Sequence, residues 1–225
     1  MSLLDRLFET PESRGMKRLL DNAQAQVEAT YGPLMKLAMS TVVAAQSTQD
    51  NLAKVFHFSV TDRPSEPQML TLYELLYFFA HLTLRTAVGK GFSAGQVKKL
   101  QGYLGPLLAS TAVDSFCLHW PEDIKAKIRG EFYEKLNDAE AEYAECHGLI
   151  SSDDPLDRNT LIGRLATNCA QLWERSDRFA TMAIAYAAIQ SFKAMELEKL
   201  VDGVAAVIDS VDSELLERYW EQKTA

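Results

Sequence analysis

The stretch TLYELLYFFAHLTLR, residues 71–85, consists largely of leucine, tyrosine and phenylalanine and contains neither proline nor glycine. A run of this length that is apolar on every side predicts a buried helix. Three polar groups interrupt it: the carboxyl of Glu74, the imidazole of His81 and the guanidinium of Arg85. At about 100° per residue they fall within roughly 40° of one another, so they form one polar stripe on the helix.

The stripe permits a functional interpretation. A buried imidazole between a carboxyl and a guanidinium is an arrangement that shifts a pKa and suits a general base or a ligand clamp. The candidate ligand-binding residues are Glu74, Tyr77, His81 and Arg85. The same sequence leaves the catalytic residues of any enzyme unassigned.

A structural interpretation accounts for the two ends of the stripe. Thr71 and Glu74 have the capping-box spacing, which predicts a helix over residues 72–88 with Thr71 as its N-cap. Arg85 lies one turn from the predicted helix end, where a cation offsets the negative end of the helix dipole. His81 would then be a core residue with one hydrogen bond.

Helix signals elsewhere are just as clear, and they predict an all-α fold. Helices are predicted over residues 12–30, 34–55, 72–88 and 121–147, with a short amphipathic helix within 210–225. A further helix is predicted from residue 93 and should kink or split near residue 106. Residues 155–208 are predicted to form either one helix or two helices that meet at 174–178. Gly (11 residues) and Pro (7 residues) are scarce, which favours long helices over many short strands. We therefore expect one domain over residues 1–225, a bundle of about seven or eight helices.

Several boundaries depend on single residues. The pair Gly32-Pro33 is expected to end the first helix. Residues 57–70 are expected to form an exposed loop. Asp154 is expected to cap a helix whose first position is Pro155. Residues 1–10 are expected to form an amphipathic segment before the bundle.

The charge distribution argues against some partners. The net charge is −8, and residues 121–160 carry 11 acids and 5 bases, which is −6 of that total. Such a surface repels phosphate backbones, so we expect no nucleic-acid partner. Neither a membrane span nor an export signal is visible in the sequence. The three cysteines are widely spaced, which favours reduced thiols and a cytoplasmic location.

Motifs for cofactors and catalysis are not found. None of the four histidines follows a glutamate at the spacing that di-iron bundles use, and we expect no metal and no cofactor. The segment GKGFSAG, residues 89–95, lacks the Lys-Ser/Thr pair of a phosphate loop. A weak anion site beside Lys90, at the start of the helix after Ser93, is the most that it supports.

The leading functional prediction is a non-catalytic protein-interaction or assembly module, acting on a protein partner or as a homodimer through helix faces. The segment FATMAIAYAAIQSF, residues 179–192, is apolar almost all round, so we expect it to be buried or paired with another chain. The alternative is a small-molecule-binding or enzymatic bundle whose pocket surrounds Glu74, His81 and Arg85. A solvent-open cavity at His81 would favour the alternative, and a large exposed apolar patch would favour the leading prediction.

Overall fold

Seven α-helices dominate a computed structural model of the chain, which describes residues 11–58, 65–116, 120–175 and 177–211. They are α1 (Pro11–Phe56), α2 (Glu66–Gly89), α3 (Ala94–Phe116), α4 (Glu122–Ala144), α5 (Leu161–Leu172), α6 (Arg178–Met195) and α7 (Leu197–Ala205). A short 3-10 turn, Ile208–Ser210, follows α7. The described residues contain no strand, and the prediction of an all-α multi-helix bundle is confirmed.

Helix α2 lies at the centre of the bundle and contacts α1, α3, α4, α5 and α7. Most of its side chains are buried, and Leu75, Phe78 and Phe79 are fully so. This follows from a sequence that is apolar on every side, since such a helix is stable only when other helices cover it completely. The stretch at residues 71–85 therefore organises the fold.

The predicted break at Gly32-Pro33 is wrong, because α1 continues through Pro33. The apolar side predicted for residues 34–55 is buried, with Leu34 and Leu37 fully covered. Helix α7 packs against this turn, since a β-carbon on Gly203 would lie 4.0 Å from Pro33 Cβ. Leu34 and Leu37 follow the proline and are buried in the core, and this burial favours a continuous helix despite the loss of one N–H donor.

The predicted exposed loop 57–70 is too long, and the predicted N-cap of α2 is wrong. Helix α2 begins at Glu66, five residues before Thr71, with Ser65 as its N-cap. The Ser65 N–H donates to Gln68 Oε1 at 2.7 Å, which is half of a capping box. Gln68 is already buried inside the first turn. Thr71 therefore lies within the helix, and Glu74 is free of any capping role.

The predicted helix start at Asp154 and Pro155 is also wrong. Asp154 Oδ1 instead accepts the Leu156 N–H at 3.1 Å, a local turn that competes with helix formation. Helix α5 starts later, where Thr160 caps it by accepting the Gly163 N–H at 3.2 Å. A loop therefore connects α4 to α5.

The segment predicted as one or two helices over residues 155–208 forms three, which are α5, α6 and α7. The break expected at residues 174–178 is present between α5 and α6. A second break occurs at Glu196, whose φ of 48° is left-handed and separates α6 from α7. Helix α3 is not split at Pro106. Helix α4 starts directly after Pro121 as predicted and ends at Ala144, three residues early.

The predicted junction between α2 and α3 is confirmed. Gly91 has a φ of 88°, which places it at the C′ position after α2. The Phe92 N–H donates to the Ala87 carbonyl at 3.1 Å, the longer bond of a Schellman motif. Ser93 and Gln96 then form a capping box at the start of α3.

One hydrophobic core runs through all seven helices. Within the described ranges, no helix combines the length and the apolar character needed to cross a membrane. The amphipathic segment predicted at 1–10 lies outside the described residues, as does all but the first two residues of the segment at 210–225.

Candidate functional site

The polar stripe on α2 faces α4, and each of its members is held by a different group. The partners are Tyr143 for Glu74, Glu140 for His81 and the carbonyl of Cys146 for Arg85. In the described part of the chain, no hydrogen bond or ion pair joins the three stripe residues to one another. The stripe is thus a row of helix-to-helix contacts.

Glu74 accepts two side-chain hydrogen bonds, one from α4 and one from α5. Tyr143 Oη donates to Glu74 Oε1 at 2.6 Å, and Asn168 Nδ2 donates to the same oxygen at 2.9 Å. Burial raises the pKa of the Glu74 carboxyl, and the charge of Glu142 raises it further. The two hydrogen bonds lower this pKa again, but burial has the larger effect.

The network around Glu74 continues across α4 and α5. Asn168 Nδ2 also donates to Glu142 Oε1 at 3.3 Å. The same Glu142 oxygen accepts a hydrogen bond from Arg164 Nη1 at 3.1 Å. Burial, followed by the neighbouring Glu74 carboxyl, raises the pKa of the Tyr143 phenol well above its usual value. A neutral phenol that donates to a carboxyl group joins α4 to α2 and supplies no reactive oxygen at ordinary pH.

His81 is enclosed by the α2–α4 interface and is only 6% exposed. Its Nδ1 lies 3.0 Å from Glu140 Oε2, and its ring centre lies 5.7 Å from that of Tyr143. Glu140 also borders a cavity of about 10 Å³ between α2, α3 and α4. A volume of this size accommodates at most one water molecule.

The other two candidate residues also have structural surroundings. The Tyr77 ring is buried 4.9 Å from that of Phe132, and burial raises the pKa of its phenol. Arg85 Nη1 donates to the Cys146 carbonyl at 2.8 Å, just after the last residue of α4. The guanidinium therefore offsets the negative end of α4 rather than that of its own helix.

The structure also places the residues of the weak anion site and the possible metal ligands. Lys90, proposed beside a weak anion site, instead forms an ion pair of 2.9 Å with Asp202. Among the described residues, no three His, Cys, Asp or Glu side chains are grouped closely enough to hold a metal ion. Cys146 and Cys169 are buried free thiols.

The sequence analysis missed a large exposed apolar surface, which we call the α1–α6 face. Its members are Met35, Met39 and Val43 of α1 and Phe179, Met182 and Tyr186 of α6. Phe179 is 70% exposed and Tyr186 is 65% exposed. Within the chain, the segment at residues 179–192 is thus buried on one side only. The signal was present in α1, where Met35, Met39 and Val43 recur every four residues opposite the buried side.

A groove of about 560 Å³ lies between α1 and α6 beside these side chains. Its lining includes Lys36, Met39, Val43, Gln190, Ala194 and Met195. Gln190 lies one turn after Tyr186 on α6, so the groove and the exposed rings belong to one continuous surface. Helix α6 contains no Asp or Glu, although the chain has a net charge of −8.

Comparison with known proteins gives no relative from which to transfer a function. No family model, curated protein or solved structure matches this chain. Its function has to be inferred from its own residues.

Proposed function

We propose that the protein is a non-catalytic interaction or assembly module, and that the α1–α6 face is its binding surface. The observation that carries this proposal is the exposure of the Phe179 and Tyr186 rings on α6, the helix that also forms one wall of the groove against α1. The six side chains of the face are about half exposed on average, which amounts to about 600 Å² if a fully exposed side chain has about 200 Å². This is the upper end of the range for the largest apolar patch of a single chain, and such patches are often functional.

The alternative is a ligand pocket around Glu74, Tyr77, His81 and Arg85, and the geometry supports it less well. A metabolite would have to reach an imidazole that is 6% exposed in a helix interface. It would also have to replace the hydrogen bonds that hold Glu74 and Arg85 to α4. Such bonds are costly to break when one partner remains buried.

A reducing compartment such as the cytoplasm is the location that we propose. Cys169 is fully buried and Cys146 nearly so, and both are free thiols. Burial raises the pKa of both thiols, which disfavours the thiolate that would react. Chains that fold under oxidising conditions commonly use their cysteines in disulfides.

The proposal is tested by replacing Tyr186 with a photo-cross-linking phenylalanine analogue in cells that make the protein. Irradiation should join the chain covalently to another polypeptide, either a second copy or a different protein. The matched control carries the same analogue at Lys127, on the exposed side of α4. Adduct yields at Tyr186 no higher than at Lys127 would contradict the proposal.

A further inference from the structure

The exposed side of α6 has the spacing of a helix-packing seam. Phe179, Met182, Tyr186 and Ile189 follow one another at intervals of three, four and three residues. That is the a/d pattern by which two helices pack side by side. The first three are exposed, and Ile189 is partly buried against the core.

This seam is symmetric about its own centre. In an antiparallel pair of α6 helices related by a two-fold axis, Met182 of each copy would lie beside Tyr186 of the other. Phe179 of each copy would lie beside Ile189 of the other, because both pairs of positions have the same midpoint. A closed dimer needs a self-complementary patch of this kind.

The groove provides room for the most exposed ring of the seam, that of Phe179. Gln190 follows Ile189 directly and lines the groove together with Met39 and Val43 of α1. The Phe179 ring of a second copy would therefore reach the open end of the groove. A projecting ring and a matching groove are present on the same face of one chain.

Area and charge are also compatible with a second copy. The exposed apolar side chains supply about 600 Å² per chain, or about 1,200 Å² for two copies, which is the lower end of the range for specific interfaces. Because α6 has no acidic residue, two chains of net charge −8 can approach through this face without opposing carboxylates.

We infer that the partner bound by the α1–α6 face is a second copy of this chain, with the two α6 helices packed antiparallel across a two-fold axis. The inference rests on the proposed function and adds the identity of the partner. Tyr186 lies near the axis and would occur twice in each interface.

The test is sedimentation equilibrium of the full-length chain over a range of concentrations. The native chain should dimerise, and Tyr186→Asp should weaken the dimer at least about 100-fold, since buried aromatic residues dominate interface energies. The matched control is Ile124→Asp, which charges a similarly exposed apolar residue (42%) in the first turn of α4 and should leave the dissociation constant unchanged. Far-UV circular dichroism of both variants should match that of the native chain.

Disulfide trapping tests the antiparallel arrangement separately. Met182→Cys mixed with Tyr186→Cys should form a covalent dimer on mild oxidation, because the two positions are level across the axis. Phe179→Cys alone should not, because the two Phe179 positions would be about 15 Å apart along the helices. Efficient self-linking of Phe179→Cys would indicate a parallel pair and overturn the inference.

Other occupants of the face give different results. A chain that stays monomeric at every concentration, while Tyr186 cross-links to a different protein, would overturn the second copy and leave the proposed function standing. Cross-links only within one chain, to residues 212–225, would overturn both.

Discussion

Glu74 is a carboxyl group placed where three helices meet. It accepts hydrogen bonds from Tyr143 of α4 and Asn168 of α5 through one oxygen. Burial nevertheless raises its pKa, so the folded chain holds this proton to a higher pH than the unfolded chain does. The contribution of Glu74 to stability is therefore fully present below its ordinary pKa of about 4.5 and is lost as pH rises through the raised value.

Replacing Glu74 by glutamine should remove this pH dependence. Glutamine keeps an oxygen acceptor for Tyr143 and Asn168 but has no proton to lose. The unfolding free energy of Glu74→Gln minus that of the native chain should therefore increase from pH 4.5 upward. Urea unfolding at several pH values measures this difference in unfolding free energy.

The unfolding free energy of Glu74→Ala should depend on pH in the same way as that of Glu74→Gln. It should be about 1–3 kcal/mol lower at each pH, because Tyr143 and Asn168 lose their acceptor. A difference that shrinks with rising pH would contradict the assignment.

At the residue scale, the sequence predicted the stripe but not its partners. Glu74, His81 and Arg85 share a helix side, which the helical period alone establishes. Tyr143 and Glu140 lie about 60 residues away, and no local pattern pairs them with the stripe. Two capping-box patterns, at Ser65 and Thr71, also compete, and tertiary contacts favour the earlier one, since Trp173 binds Thr71 and Tyr143 binds Glu74.

At the element scale, the loop between α4 and α5 is fixed by a close approach of backbone to backbone. A β-carbon on Gly163 would collide with the carbonyl oxygen of Asp157. The Asp157 carbonyl also accepts the N–H of Thr160 at 2.9 Å, so it is not free to move. Glycine at position 163 is therefore a requirement of packing.

Gly163→Ala should destabilise the chain by about 1–3 kcal/mol or more, because the colliding atom belongs to a bonded backbone. Thermal unfolding followed by circular dichroism measures the fall in Tm. The matched control is Gly102→Ala in α3, where a β-carbon meets no described atom within 4 Å. That substitution should stabilise by about 0.5–1 kcal/mol, because alanine loses less entropy than glycine in a helix. Equal effects of the two substitutions would refute the packing requirement.

Helix boundaries were predictable where the signal was purely local. Gly91 and Ser93 mark the turn between α2 and α3, and their backbone geometry and hydrogen bonds follow from residue type alone. Pro33 and Asp154 failed as signals for opposite reasons. Burial carried α1 through the proline, whereas the Asp154 side chain bonded a nearby N–H and formed a turn instead of a helix.

At the scale of the whole molecule, most of the net negative charge lies away from α6, whose charged residues are Arg178 and Lys193. Residues 121–160, which include α4, carry −6 of the net −8, while α6 has no acid at all. Composition predicted the all-α class, because few glycines and prolines leave long helices as the main option. It did not predict which side of α6 faces outward, because that depends on where α1 and α5 pack against it.

This charge separation sets the salt dependence of the proposed dimer. Two copies of net charge −8 repel each other at a distance, while the interface itself is apolar and contributes little electrostatic attraction. The Debye length, over which charges act on each other, falls from about 30 Å at 0.01 M to about 3 Å at 1 M ionic strength. Added salt therefore weakens the repulsion between the two copies and leaves the apolar contact in place. The dimer dissociation constant, measured by sedimentation equilibrium, should therefore fall as salt is added. A dissociation constant that rises with salt would mean that opposite charges hold the copies together, and the acidic surface of residues 121–160 would then be the place to search for the contact.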